Sequence, residues 1–187
     1  MVSRHLRNTE IEPESELLVA FVNTRDLEEQ ADAIGDPEAL ERWIAASGAG
    51  VAAPPVDADG HRRILALRES LRALLRANSG GEASESELAP LREAAASARF
   101  HTSLGPGGEL RIDPEGGGLD AFEGRLLLAV ERLQALGGWS RLKACPADDC
   151  QWAFFDSSRN RSRTWCSMEV CGNRSKTRRY RSRRSSA

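Results

Sequence analysis

Long apolar runs are what this sequence most plainly lacks. None approaches the roughly 20 residues that cross a bilayer, so no helical membrane span is expected. The opening residues, MVSRHLRNTEIEPESE, hold no apolar core of a secretory leader, and a reducing, cytoplasmic setting is expected. Histidine is scarce. His5, His61 and His101 stand far apart and are expected at the surface or in hydrogen bonds, not at a metal. Catalytic constellations are missing too: there is no nucleophile elbow, no His-Glu metal motif and no phosphate loop. Gly116, Gly117 and Gly118 are expected to be a flexible linker, since they do not make the dinucleotide-binding pattern. Enzyme activity is therefore not expected. Cysteine is absent from the first 144 residues.

All four cysteines fall in one stretch, CPADDCQWAFFDSSRNRSRTWCSMEVC, as Cys145-x4-Cys150, fifteen residues, then Cys166-x4-Cys171. Zinc prefers four tetrahedral ligands, and thiolates are its usual structural ones. A Cys-x4-Cys loop lets both sulfurs turn toward one ion, and the spacer is long enough for a hairpin that returns the second pair. With no fifth candidate nearby, Cys145, Cys150, Cys166 and Cys171 are expected to close around one structural zinc ion. Two disulfides would need an oxidising compartment. Four unpaired thiols would not need to cluster.

Charge is divided unevenly. Residues 139–187 hold twelve Lys and Arg against four acids, a charge of +8, while residues 1–138 hold 14 against 24, a charge of −10. A zinc tetrathiolate counted as −2 leaves the tail at about +6. An acidic body carrying a basic tail suggests a polyanion-binding end.

The body, residues 1–138, reads as helices. The first runs from about Glu14, with Leu17, Leu18, Phe21 and Val22 on one face and Asn23 and Thr24 beside it, expected to make structural hydrogen bonds. Asp36 and Pro37 start a second helix that turns Leu40, Trp43 and Ile44 inward. Residues 60–78 form the strongest pattern, with Ile64, Leu67, Leu71 and Leu74 as the stripe. Arg62, Arg63, Arg68, Arg72 and Arg76 fall off it and are expected to be solvated. A fourth helix starts from Ser84 with Glu87 as a capping box, or just before Pro90. Phe100–Leu104 and Leu110–Ile112 flank Gly105-Pro106-Gly107-Gly108 and predict a hairpin. A last body helix covers about 119–136, and Gly137-Gly138 marks the boundary.

The tail, residues 139–187, is expected to fold as metal loop, hairpin and helix, a treble-clef-like finger. Its hairpin would run out over Trp152–Phe155 and return over Ser157–Arg163, and Trp152, Phe154, Phe155 and Trp165 would cover the zinc. Ser167 would cap a helix whose Val170, Asn173, Thr177 and Tyr180 lie on the metal centre. The fold class is thus mainly α: a helical N-terminal domain with one β-hairpin, plus a small C-terminal zinc finger with a hairpin and a basic helix.

The segment from Trp139 onward resembles the CGNR zinc-finger family, through Cys171-Gly172-Asn173-Arg174, the preceding Trp165-Cys166-Ser167-Met168 and the SRNRSR run Ser158–Arg163. In that family the finger usually follows a helical domain called ABATE, and Phe21-Val22-Asn23-Thr24 and the layout of helices are similar to that domain. The resemblance implies a bacterial transcription regulator that binds DNA through its finger.

The basic residues support the same expectation independently. Arg159, Arg161, Arg163, Arg174, Lys176, Arg178, Arg179, Arg181, Arg183 and Arg184 are the candidate nucleic-acid contacts. Neutralising phosphates releases counterions, and arginine forks can hold phosphate or guanine through two bonds. The expected partner is DNA. An RNA or protein partner met by the zinc module is the alternative. The body would sense a small-molecule effector or form a homodimer, since one finger alone reads little sequence.

Overall fold

The computed structural model describes residues 4–52 and 55–178, with side chains from residue 11 onward. The elements in order are α1 (Arg4–Val22), β1 (Arg25–Asp26), β2 (Ala31–Asp32), α2 (Pro37–Ala46), α3 (Ala58–Asn78), α4 (Glu85–Ser97), β3 (Phe100–Leu104), β4 (Leu110–Pro114) and α5 (Gly118–Ala135). The chain then makes a short 3-10 turn (Trp139–Arg141), β5 (Leu142–Ala144) and β6 (Ala153–Phe155). A π-helical turn (Met168–Gly172) runs on as α-helix over 173–178. The fold is mainly helical, and each sheet is a two-stranded antiparallel ladder.

Local chemistry sets most of these boundaries. Asp36 accepts from the Ala39 amide at 2.8 Å and Pro37 opens α2. Asp57 caps α3 through the Gly60 amide at 2.7 Å. Ser84 and Glu87 form a reciprocal capping box, so α4 starts there and Pro90 sits inside it. Helix α1 begins earlier than the apolar pattern does, because Ile11 also packs against the core.

The core lies between α1, α2, α3 and α5. Phe21, Trp43 and Phe122 meet as a three-ring cluster with centroids 5.5–6.0 Å apart. Leu18, Leu40, Ile44, Ile64, Leu67, Leu71, Leu126 and Leu133 fill the space around it. Glu14 of α1, itself buried, takes Arg125 at 2.6 Å and Arg132 at 2.8 Å from α5. The cluster does not stop at Gly138: Leu142, Ala144 and Ala153 belong to it, so β5 and β6 close the body core.

Two arginines of α3 depart from their expected place. Arg62 and Arg63 are exposed, but Arg68 and Arg72 are only 3% and 2% accessible. Arg68 grips both carboxylate oxygens of Asp32 at 2.7 and 2.8 Å and donates to Thr24 Oγ1 at 3.0 Å. Arg72 donates to the Val22 carbonyl at 2.7 Å, capping the C-terminus of α1, where free carbonyls favour a cation. Its other amino group reaches the Gln151 carbonyl at 3.1 Å, beyond β5. The β1–β2 hairpin, a second body hairpin that the sequence pattern did not signal, brings Asp32 into position. Around Arg68 and Arg72 the polar side of α3 is therefore lined by protein, while Arg62, Arg63 and Glu69 remain in water.

Burial works against the Asp32 carboxylate, but the hydrogen bonds and charge of Arg68 outweigh it and hold its pKa below the ordinary value. The stability this adds is complete above the unfolded carboxyl's pKa of about 3.9 and is lost as pH falls through the lower folded value. Arg68→Ala would leave that carboxylate without its partner and is expected to cost about 3–5 kcal/mol. Urea unfolding at neutral pH checks the loss, and repeating it between pH 5 and 3 should show less acid dependence in the variant than in the parent.

Candidate zinc centre and the surface it supports

Strand β5 delivers Cys145, and the turn before β6 carries Cys150. The Cys145 amide donates to the Trp152 carbonyl at 2.9 Å, and the Cys150 and Gln151 amides both return to the Ala147 carbonyl, at 2.9 and 3.1 Å. Gln151 sits at φ 50°, a left-handed conformation that reverses the chain directly after the cysteine. The second pair comes from the start of the final helix. Ser167 caps it by accepting from the Val170 amide at 3.3 Å, so Cys166 lies just before the helix and Cys171 one turn inside.

The four Sγ atoms lie within 4.8 Å of one another. The Cys150–Cys166 and Cys166–Cys171 pairs stand 3.5 and 3.6 Å apart. Sulfurs bonded at about 2.3 Å to a tetrahedral ion are separated by about 3.8 Å, and a disulfide needs about 2.05 Å. The set fits one zinc ion with all four positions filled by protein, and zinc is the cofactor of this module. Bound there, the ion ties the β5–β6 turn to the last helix.

Without a cation two of the thiols resist ionisation. Burial raises Cys150, and burial likewise pushes Cys166 up to about 12. Cys171 goes the other way: burial opposes its thiolate, but the Arg174 guanidinium, 3.2 Å from its sulfur, outweighs that and draws the pKa down. Zinc must displace protons from buried sulfurs, so its binding releases protons.

The hairpin differs from the sequence expectation. Strand β6 pairs backward with β5, Leu142 opposite Phe155 and Ala144 opposite Ala153, not forward with Ser157–Arg163. The latter segment is a loop built around Asp156. This fully buried carboxylate accepts from Lys143 Nζ at 2.7 Å, from the Ser158 amide at 3.0 Å and from the Arg163 amide at 3.0 Å. Burial alone would raise the Asp156 pKa, but Lys143 and Ser158 lower it to about 2. Lys143 completes the loop by donating to the Arg161 and Arg163 carbonyls at 2.7 and 3.0 Å.

The aromatic residues also distribute differently. Trp165 alone of the four packs on the cysteines. Phe155 belongs to the body core, Phe154 lies beneath the Arg163 guanidinium at 4.6 Å, and Trp152 is exposed. Val170, Asn173 and Thr177 were expected on the metal side, yet all three face solvent. Cys171, Gly172 and Arg174 take the inner side instead. His61 Nε2 donates to the Ile34 carbonyl, 2.8 Å away, and His101 is exposed.

The candidate nucleic-acid residues fall into groups. Arg159, Arg161, Lys176 and Arg178 are exposed. Arg163 is exposed too, but its guanidinium also holds the Trp165 and Cys166 carbonyls. Arg174 is committed: it bonds Cys171 and, at 2.6 Å, Glu28 in the β1–β2 loop. Arg179, Arg181, Arg183 and Arg184, with Tyr180, lie outside the described residues.

Four side chains seat the finger on the body. Asn23 behaves as a strand residue would, donating to the Ala153 carbonyl at 2.9 Å and accepting from its amide at 2.7 Å. Arg72 holds Gln151. Asn78 reaches the Trp139 and Leu142 carbonyls at 3.0 and 2.9 Å, and Ser79 the Ala144 carbonyl at 2.6 Å. In the sequence, Asn78 and Ser79 signal only a helix end. Their second role depends on which strand passes beside it.

Two outcomes test this arrangement. Chelating the metal should unfold the finger and expose Leu142 and Ala153, giving a loss of cooperative unfolding that one equivalent of zinc per chain restores; zinc affinity should weaken as pH falls, because protons then compete for the thiolates. Asn23→Ala leaves two backbone groups of β6 unpaired and should cost about 1–3 kcal/mol. Its signature is faster zinc loss to a colorimetric chelator, with the helical content of the body retained.

No curated protein matches this chain. Residues 141–184 match the CGNR zinc finger family model. Residues 15–137 match the ABATE family model, described as "Putative stress-induced transcription regulator". Among the described residues no helix is long and apolar enough to cross a membrane. With most of its length under that second match, the chain belongs to the ABATE family and carries a CGNR zinc finger behind its helical body.

Proposed function

We propose that this chain is a zinc-dependent DNA-binding transcription regulator, with the C-terminal finger on DNA and the helical body sensing an effector or dimerising. One observation carries the reading. The final helix turns Val170, Asn173 and Thr177 outward, one above another, with Lys176 and Arg178 exposed on the same helix. An apolar side chain that is 49% accessible on so small a module does nothing for its core. Set into a major groove, Val170 suits a thymine methyl and Asn173 suits the N6/N7 edge of adenine, while the cations meet phosphates.

Of the finger's four acids, Asp148 and Glu169 are exposed, and Asp149, also exposed, partly offsets its neighbouring arginines. Asp156 is buried, and Asp149 lies 3.8 and 3.7 Å from Arg174 and Arg178. Arg159 and Arg161, on the Asp156 loop, supply a second contact line. Arg174 drops out of the contact set, being held by Cys171 and Glu28. The bonds from Asn23, Arg72 and Ser79 give the body a fixed grip on the finger, so a change in the body can alter how the helix is presented.

Selection of bound duplexes from a random pool, with full-length zinc-loaded protein at physiological salt, tests the reading. An enriched motif is expected, and Asn173→Ala should relax it at one or two positions. Arg159→Ala and Lys176→Ala should weaken binding alike for all sequences and lower the salt slope by about one each. Binding without enrichment leaves a phosphate-binding module and favours an RNA partner. No retained DNA overturns the proposal.

A further inference from the structure

Among the described residues, the β3–β4 hairpin is where large apolar side chains gather in the open. Leu104 and Leu110 are 72% and 67% accessible, Ile112 41% and Phe100 38%. Every residue of β3 and the first four of β4 are exposed. The register places Phe100 opposite Pro114, Thr102 opposite Ile112 and Leu104 opposite Leu110, so these six side chains share one face. At its base that face meets α5, where Pro114 and Phe100 lie against Gly124. Toward the tip nothing among the described residues covers it.

The ladder also fixes which backbone groups are free. The Gly105 amide bonds the Glu109 carbonyl, and the Glu115 amide the Arg99 carbonyl, each at 2.8 Å. Antiparallel pairs alternate between bonded and non-bonded. Ser103 with Arg111 and His101 with Asp113 are therefore the bonded pairs. The N–H and C=O of Leu110 and Ile112 point away from β3, along an open strand edge. Such an edge is a template for another strand.

The charges say which strand. Arg111 and Asp113 flank Ile112, lie on the face opposite the apolar one, are both exposed, and have no ion-pair partner among the described residues. In an antiparallel pairing centred on Ile112, the β4 of a second copy sets its Asp113 opposite Arg111 and its Arg111 opposite Asp113. The same register makes the two Ile112 residues a bonded pair and puts both charge pairs at non-bonded positions, where side chains stand closest. It also places Leu110 of each copy opposite Pro114 of the other, next to α5, which covers part of the exposed tip. Proline has no N–H, so each of these outer pairs forms one bond, from the Leu110 amide to the Pro114 carbonyl. A charge pattern that reads the same in both directions is what an isologous contact requires.

We propose that β4 is a homodimer interface, with the two hairpins joining edge to edge into one four-stranded antiparallel sheet about a two-fold axis through Ile112. The inference rests on the hairpin alone and does not depend on DNA binding. If the finger does bind DNA, the dimer presents two fingers to a symmetric site.

Sedimentation velocity of the full-length, zinc-loaded protein over a concentration series tests it. The parent should show a reversible monomer–dimer equilibrium. Arg111→Asp and Asp113→Arg, each placing like charges opposite one another twice, should weaken association by about tenfold. The double variant Arg111→Asp/Asp113→Arg restores opposite charges and should return it to near the parent value. An Ile112→Cys variant, checked for intact zinc content, should oxidise to a covalent dimer, since bonded antiparallel pairs hold Cα atoms about 5.5 Å apart, within disulfide range. A protein monomeric at every concentration overturns the proposal. So does a dimer that ignores the single charge changes, or one that the double change fails to rescue and the Ile112→Cys variant fails to cross-link.

Discussion

Two guanidinium groups, Arg68 and Arg72, lie one turn apart on α3 and are almost wholly out of water. A buried charge is tolerated only where it is paired and its donors are used, because leaving it alone costs several kcal/mol. That requirement reaches most of the molecule. Arg68 needs the Asp32 carboxylate, so the β1–β2 hairpin must fold back over α3. Arg72 needs carbonyls, which come from the end of α1 at Val22 and from the turn after Cys150 at Gln151. Body, hairpin and finger thus converge on two side chains of one helix.

The zinc centre adjoins the same framework, since Gln151 directly follows the ligand Cys150. Its first two ligands belong to a hairpin whose strands complete the body core, and its last two belong to a helix tied back by Arg174 to Glu28. Metal and body therefore both hold the finger. A zinc module of this size has few apolar residues of its own. Sharing Leu142, Ala144 and Ala153 with the body supplies the burial it lacks. The consequence for function is an oriented helix: with Cys171 and Gly172 fixed inward, Val170, Asn173 and Thr177 have only the solvent side left.

Much of this was legible beforehand. The caps at Asp36 and Ser84, the stripe through Ile64, Leu67 and Leu71, the β3–β4 hairpin and the four cysteines all follow from patterns of a few residues. The partner of β6 was not legible: Ala153–Phe155 is equally β-prone whichever neighbour it takes, and the choice of β5 depends on Asn23 and the core beneath it. The role of Arg174 was hidden for a related reason. Its proximity to Cys171 is local, but Glu28 is 146 residues away.

The sequence by itself determined the helices, most of their ends, the grouping of the four cysteines and the acidic–basic division, because each depends on composition, backbone preferences or side-chain chemistry close along the chain; the start of α1 is the exception. Only the tertiary structure decided which charges face water. The arginines of α3 look alike in sequence. Arg62 and Arg63 are exposed, while Arg68 and Arg72 are enclosed by a carboxylate and carbonyls supplied from 36, 50 and 79 residues away. Burial of a charge is set by what packs over it, and no local pattern carries that information.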